Sequence, residues 1–193
     1  MSIRSGPNAW GSLAKLFHWS IAVLVFGNLT LGLWMVELDA SAQKLRSYGL
    51  HKSIGIGILG LMLLRLLWRA FDHRPPPPPG MSPLARRISL LLHALLYALL
   101  LSLPLSGWLY NSAANFPLRW FGWVSLPRLV APDPALKQLA HEAHEWLGYL
   151  LIAALLLHIS AALKHHLLDR DPVLRRMLPW VRSRHDPASG DHP

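Results

Sequence analysis

The chain has 193 residues, enough for one compact domain, with 52% hydrophobic residues, 15% charged residues and no cysteine. That balance and a mean hydropathy of +0.30 suit a chain whose main solvent is lipid; the missing thiols exclude disulfides, iron–sulfur ligation and covalent haem attachment through C-x-x-C-H. The formal net charge of +9 raises nucleic acid as a partner, but the cations sit at the ends of apolar runs, as membrane proteins place them, so membrane lipid is expected and nucleic acid is not.

Residues 1–15 read as a polar N-terminal segment outside the membrane. The first apolar run covers residues 16–36, close to the roughly 20 residues a spanning helix needs. No small-residue cleavage site follows it, so no cleavable signal peptide is expected. Residues 37–49 form a short loop with Glu37, Asp39, Lys44 and Arg46. The second apolar run, 50–68, carries Arg65 near its end, and Arg65 and Arg69 share one helix face by their spacing of four. Residues 70–87 contain the proline run Pro75 to Pro79, a stiff spacer.

The third run, 88–110, is interrupted by Pro104 and Gly107, which a spanning helix tolerates where neighbours cover its backbone. Residues 111–143 read as the longest loop. Trp120, Phe121 and Trp123 suit it to the membrane surface, as a lipid anchor or a docking surface. The fourth run is 144–163. The four-helix domain extends over 16–180, and a polar tail, 181–193, is expected to be disordered.

The fold class that follows is all-α, an integral membrane four-helix bundle. Lys and Arg concentrate in the N-terminus, the proline loop and the C-terminal segment, whereas the two opposite loops carry only Lys44, Arg46, Arg119, Arg128 and Lys137. The positive-inside rule puts both termini in the cytoplasm. Trp10, Trp19, Trp34, Trp68, Trp108, Trp146 and Trp180 fall near segment ends, as an aromatic belt would.

A histidine inside an apolar span is costly without a partner. His144 and His158 are 14 residues apart on the fourth helix, two heptads, so they share nearly one face about 21 Å apart along the axis. Chain direction then sorts the histidines by depth. His18, early in the first span, and His158, late in the fourth, lie toward the cytoplasm. His51 and His144, in the first turns of their spans, lie toward the outside. Two imidazoles from facing helices can hold a haem iron from both sides, so His18 with His158 and His51 with His144 are candidate axial pairs for two non-covalent b haems.

Flanking residues support the same four. A porphyrin lying against its ligand's helix needs small residues one turn away. Ala14 and Ala22 flank His18, Ser47 and Gly55 flank His51, Ala140 and Gly148 flank His144, and Ala154 and Ala162 flank His158. His93, flanked by Ser89 and Tyr97, and His141, flanked by Lys137 and Glu145, fail the test. His93 then reads as a structural residue hydrogen-bonded at the depth of the cytoplasmic pair, and His141 as a surface residue. Any single intramembrane histidine equally fits a structural hydrogen bond or a proton relay. Zinc gathers its ligands at one point, unlike two pairs separated along the membrane normal.

Phe17-His18-Trp19, the stretch from His51-Lys52-Ser53-Ile54-Gly55 to Leu64-Arg65-Leu66-Leu67-Trp68-Arg69, His93 with Leu96-Tyr97, Pro104 and Gly107-Trp108, and His144-Glu145-Trp146-Leu147-Gly148-Tyr149 through His158 to His165-His166 and Asp169-Arg170-Asp171 together resemble the bacterial cytochrome b561 family over about residues 10 to 180. The resemblance implies a di-haem protein of the bacterial inner membrane that exchanges electrons with ubiquinone or another quinone. It implies haem ligands at His18, His51, His144 and His158.

Ligation on both sides of the iron leaves no open position and favours electron transfer over oxygen activation. Arg65 and Arg69 are candidates for haem propionate pairing, or they snorkel to the headgroups. Lys52 would pair with a propionate or stand as a cation beside the outer haem. Gly55 and Gly148 are candidate haem contacts, and His165, with His166 beside it, is by analogy a candidate for quinone protonation. Two functions stay open. One is a quinone-linked oxidoreductase, with superoxide as donor in one branch of the resembling family and the outer cations to steer the anion. The other is a non-catalytic relay between the quinone pool and a periplasmic or dehydrogenase partner.

Overall fold

The structure, a computed structural model, describes residues 2–6, 9–73, 75–77 and 80–179; the expected disordered tail, 181–193, lies outside them. Four long helices carry the chain, α1 (Ser12–Glu37), α2 (Ala42–Phe71), α3 (Pro83–Ala113) and α4 (Pro134–Leu167). Each is long and apolar enough to cross a bilayer, so the fold is the expected all-α membrane bundle. A two-stranded hairpin, β1 (Arg119–Trp120) against antiparallel β2 (Val124–Ser125), lies between α3 and α4, and a short α5 (Val173–Met177) follows α4.

The helices outrun the apolar spans. α2 starts at Ala42, where the Ser41 side chain accepts from the Lys44 N–H, and α4 starts at Pro134, where Asp133 accepts from the Leu136 N–H. These caps satisfy N–H groups that a helix start leaves orphaned, and proline at the first helical position loses nothing. The expected loop 37–49 therefore shrinks to residues 38–41, and the expected loop 111–143 to residues 114–133. His51 and His144 stand some turns inside α2 and α4, not in their first turns. The polar turns before them are helical.

The connection between α3 and α4 carries the hairpin. Phe121 and Gly122, with φ of 48° and 79°, turn the hairpin back. The Trp120 indole then donates to the Ser53 carbonyl at 3.1 Å, and the Phe121 N–H to Ser53 Oγ at 3.0 Å. Trp120 is thus pinned to α2, whereas Trp123 at the tip is 87% exposed.

Consecutive helices pack side by side: α1 along α2, α2 along α3, and α3 most extensively along α4. Lipid tails are as apolar as leucine, so this packing is held by close van der Waals fit and not by escape from water. The tightest layer is Ile21 and Val25 of α1, Ile58 and Met62 of α2, Leu96 and Leu99 of α3, and Leu151 and Ala154 of α4. On α4 its residues, Leu151 and Ala154, fall between His144 and His158 in sequence.

The other end is tied by its own contacts. Ser5 donates from its N–H and Oγ to Asp72, at 2.9 and 2.7 Å. The Lys15 ammonium donates to the Leu178 carbonyl at 3.1 Å and the Trp19 indole to the Met177 carbonyl at 2.9 Å. The segment that ends α5 therefore straps the start of α1.

Candidate functional site

The fold brings both predicted pairs of rings near one another. The His18 and His158 rings have centroids 6.3 Å apart, and those of His51 and His144 are 6.1 Å apart. Two imidazoles that bind one metal from opposite sides, each through a bond of about 2 Å and with its ring centre about 1 Å behind the nitrogen, place their centroids about 6 Å apart. Both separations match that spacing. The helices involved, α1 with α4 and α2 with α4, are not among the closely packed pairs. The facing imidazoles thus reach across gaps, as a plate held between them requires. The residues present fit bis-imidazole haem at both levels.

The outer pair is held in place by backbone. The His51 Nδ1 lies 3.2 Å from the Asn28 carbonyl of α1. The His144 Nδ1 lies 3.0 Å from the Leu103 carbonyl of α3 and 3.0 Å from Ser106 Oγ. A carbonyl oxygen only accepts, so Nδ1 carries the proton in both rings and Nε2 keeps its lone pair, the form that binds metal. Gly32 and Gly107 back the two rings. A Cβ at either position would lie 3.0 Å from the imidazole Cε1. Sequence reasoning passed over Asn28, Gly32, Leu103 and Ser106, and saw Gly107 only as an interruption of α3.

The inner site holds three imidazoles. His93 stands 5.3 Å from His158, nearly perpendicular, and its Nδ1 donates to the Ser89 carbonyl of its own helix at 2.6 Å. Beside this group the Arg65 and Arg69 guanidiniums approach the Tyr97 ring at 5.3 and 5.0 Å, and Arg69 donates to the Tyr97 hydroxyl at 3.1 Å. Neither arginine forms an ion pair among the described residues. Both therefore present cationic charge that no carboxylate among the described residues pairs with.

The remaining candidates are placed as follows. Gly55 packs against Asn28, whose Nδ2 would be 3.7 Å from a Cβ there, and Gly148 faces open space. The Lys52 ammonium lies over the Phe116 ring at 5.4 Å. His141 is exposed against Tyr110. His165, in the last turn of α4, donates from Nδ1 to Asp171 at 2.6 Å and lies 3.2 Å from Asp169. The Lys164 ammonium hydrogen-bonds Asp169 and holds its carboxyl below the usual range.

Comparison with known proteins agrees with this geometry. The profile of the family described as prokaryotic cytochrome b561 matches residues 9–180. The chain is 37% identical to "Cytochrome b561 homolog 2" of Escherichia coli over 92% of its own length and 95% of the relative's. It is 32% identical to "Cytochrome b561 homolog 1" of the same organism, over 89% and 98%. It is 29% identical to the "Probable superoxide oxidase CybB" of Yersinia pestis, over 86% and 93%. Four spanning helices with intramembrane imidazoles, and a family match over nearly the whole chain, lead to one assignment: this is a member of the prokaryotic cytochrome b561 family, a multi-pass bacterial inner-membrane cytochrome that binds haem b and transfers electrons.

Proposed function

We propose that this cytochrome holds two haems, one between His18 and His158 and one between His51 and His144, and passes electrons between the outer face of the membrane and quinone. The observation that carries the reading is the pair of centroid separations near 6 Å at two depths. When bound, each haem would supply one-electron exchange, held by His18 and His158 or by His51 and His144. The chain's own residues orient the imidazoles, exclude water with the apolar layer between the pairs, and offer Arg65 and Arg69 to the inner propionates. His165, hydrogen-bonded to Asp171 and close to Asp169, would hand a proton to reduced quinone in this reading.

A second reading makes superoxide the outer donor, and the similarity to a relative named as a superoxide oxidase favours it. The reaction balances as two superoxide anions giving up one electron each and leaving as dioxygen, while one quinone takes two electrons and two protons to become quinol. Lys52 supplies a cation near the outer pair for an anionic donor. A non-catalytic relay would use the same haems with a protein donor.

The test is a pyridine haemochrome assay with a reduced-minus-oxidised spectrum of the purified protein. The expected result is two low-spin b haems per chain, falling to one in His144→Ala. Full two-haem occupancy in that variant would sink the ligand assignment.

A further inference from the structure

Among the described residues, three aromatic N–H groups reach a carbonyl within a neighbouring long helix, and in each of these cases the residue four positions after that carbonyl is glycine; the Trp19 indole, which reaches the Met177 carbonyl at the end of the short α5, is outside this pattern. His51 reaches Asn28 with Gly32 following, His144 reaches Leu103 with Gly107 following, and Trp120 reaches Ser53 with Gly57 following. The reason is helical geometry. A helix carbonyl points toward residue i+4, and the Cβ of residue i+4 leans back over it. Glycine there uncovers the second lone pair of the carbonyl to a donor from the side.

The three positions differ in how much they need glycine. At Gly32 and Gly107 a Cβ would stand 3.0 Å from the imidazole Cε1, so the ring would have to move. At Gly57 a Cβ would stand 3.9 Å from the indole nitrogen, an ordinary contact. The inner pair has no such support. Among the described residues no hydrogen bond reaches the ring of His18 or His158.

We infer that Gly32 and Gly107 are positioning residues that open carbonyl slots for the two outer imidazoles, and that they thereby set the orientation and basicity of the outer haem's ligands. This rests on the ligand assignment proposed above. An Nδ1–H donated to a carbonyl makes Nε2 a stronger electron donor. That favours the oxidised iron and lowers the potential of the outer haem relative to the inner one. Electrons then run downhill from the outer face inward. The slots also hold the two outer rings nearly perpendicular, at 83°. Crossed imidazole planes leave two iron d orbitals close in energy and give oxidised low-spin haem a strongly anisotropic electron paramagnetic resonance signal.

The experiment compares Gly32→Ala and Gly107→Ala with Gly27→Ala and Gly57→Ala in purified holoprotein, by haem content, paramagnetic resonance and redox titration. Gly27 has nothing within 4 Å of a Cβ. The slot variants should shift the resonance of the outer haem and raise its midpoint. The expected rise corresponds to about a tenfold change in its reduced-to-oxidised ratio, about 59 mV for one electron. The two control variants should match the parent. Selective loss of the outer haem from the slot variants alone also supports the inference. Unchanged signals and potentials in the slot variants, equal changes in all four, or loss of both haems would overturn it. His144→Ala separates this failure from that of the ligand assignment: it should lose one of the two haems, the outer one, whatever the glycine variants do.

Discussion

The His93 ring stands closer to His158 than His18 does, 5.3 Å against 6.3 Å. Proximity alone would make His93 the ligand, but the geometry argues otherwise. A centroid distance of 5.3 Å is short for two rings on opposite sides of one metal, while His18 has the spacing of about 6 Å that bonds of about 2 Å require. We therefore expect His93→Ala to keep both haems, with at most a small shift of the inner potential. His18→Ala or His158→Ala should each remove one haem, and the double variant should lose no more, because the two act as a unit. Haem loss in His93→Ala with full retention in His18→Ala would exchange their roles.

Arg65 and Arg69 bracket Tyr97, and among the described residues neither forms an ion pair. If they face the inner propionates, Arg65→Leu or Arg69→Leu should lower the inner haem's midpoint, since a nearby cation stabilises the added electron. Tyr97→Phe should remove one hydrogen bond, at a cost of about 1 kcal/mol, and leave the midpoint close to that of the parent. A redox titration unchanged by either arginine substitution would mean that both only snorkel to the headgroups.

Gly148 opens onto space with nothing within 4 Å of a Cβ, and Gly55 meets only the Asn28 amide at 3.7 Å. Leucine at either position should project toward the outer haem plate and reduce outer haem retention severalfold. Gly60 is exposed on the bundle surface, so Gly60→Leu should retain both haems. Equal losses at all three positions would indicate packing damage with no specific haem contact.

Superoxide as donor carries its own signature. An anion guided by cations over distances comparable to a Debye length of about 8–10 Å should reduce the haems more slowly as salt rises. Lys52→Glu should slow that reduction severalfold with both haems bound. Stopped-flow reduction at two ionic strengths checks this. A slow, salt-independent rate in the parent, with rapid reduction by quinol, would leave the relay reading in place.

Much of this was legible in the residues because the membrane makes polar groups conspicuous. His18, His51, His144 and His158 stood out as imidazoles in apolar spans, and small neighbours one turn away singled them out. What escaped was mainly backbone. The acceptors for His51 and His144 are the carbonyls of Asn28 and Leu103, and no side chain marks a carbonyl that a neighbour will use. Gly32 therefore looked like any small residue in an apolar run. The starts of α2 and α4 were misplaced for another reason. Hydropathy marks where a helix enters lipid, not where it begins, although Ser41 and the pair Asp133-Pro134 carried the capping signal. Trp120 was read as a surface aromatic because its partner, the Ser53 carbonyl, is 67 residues away.

The apolar layer built around Met62 and Leu151 has an electrical consequence. It lies within the membrane-spanning helices, with one of the two proposed haem sites on each side. The two sites are about 21 Å apart in a hydrocarbon core of about 30 Å, so each electron crosses roughly two-thirds of the field. At about 2.3 kcal/mol per charge per 100 mV for a full crossing, an energised, inside-negative membrane pushes each electron back toward the outer site by roughly 1.5 kcal/mol per 100 mV. With two haems held as proposed and electrons running inward, the cytochrome would be a load on the proton-motive force, and the same donor would fill the inner haem less completely in respiring vesicles than in vesicles whose voltage has been collapsed.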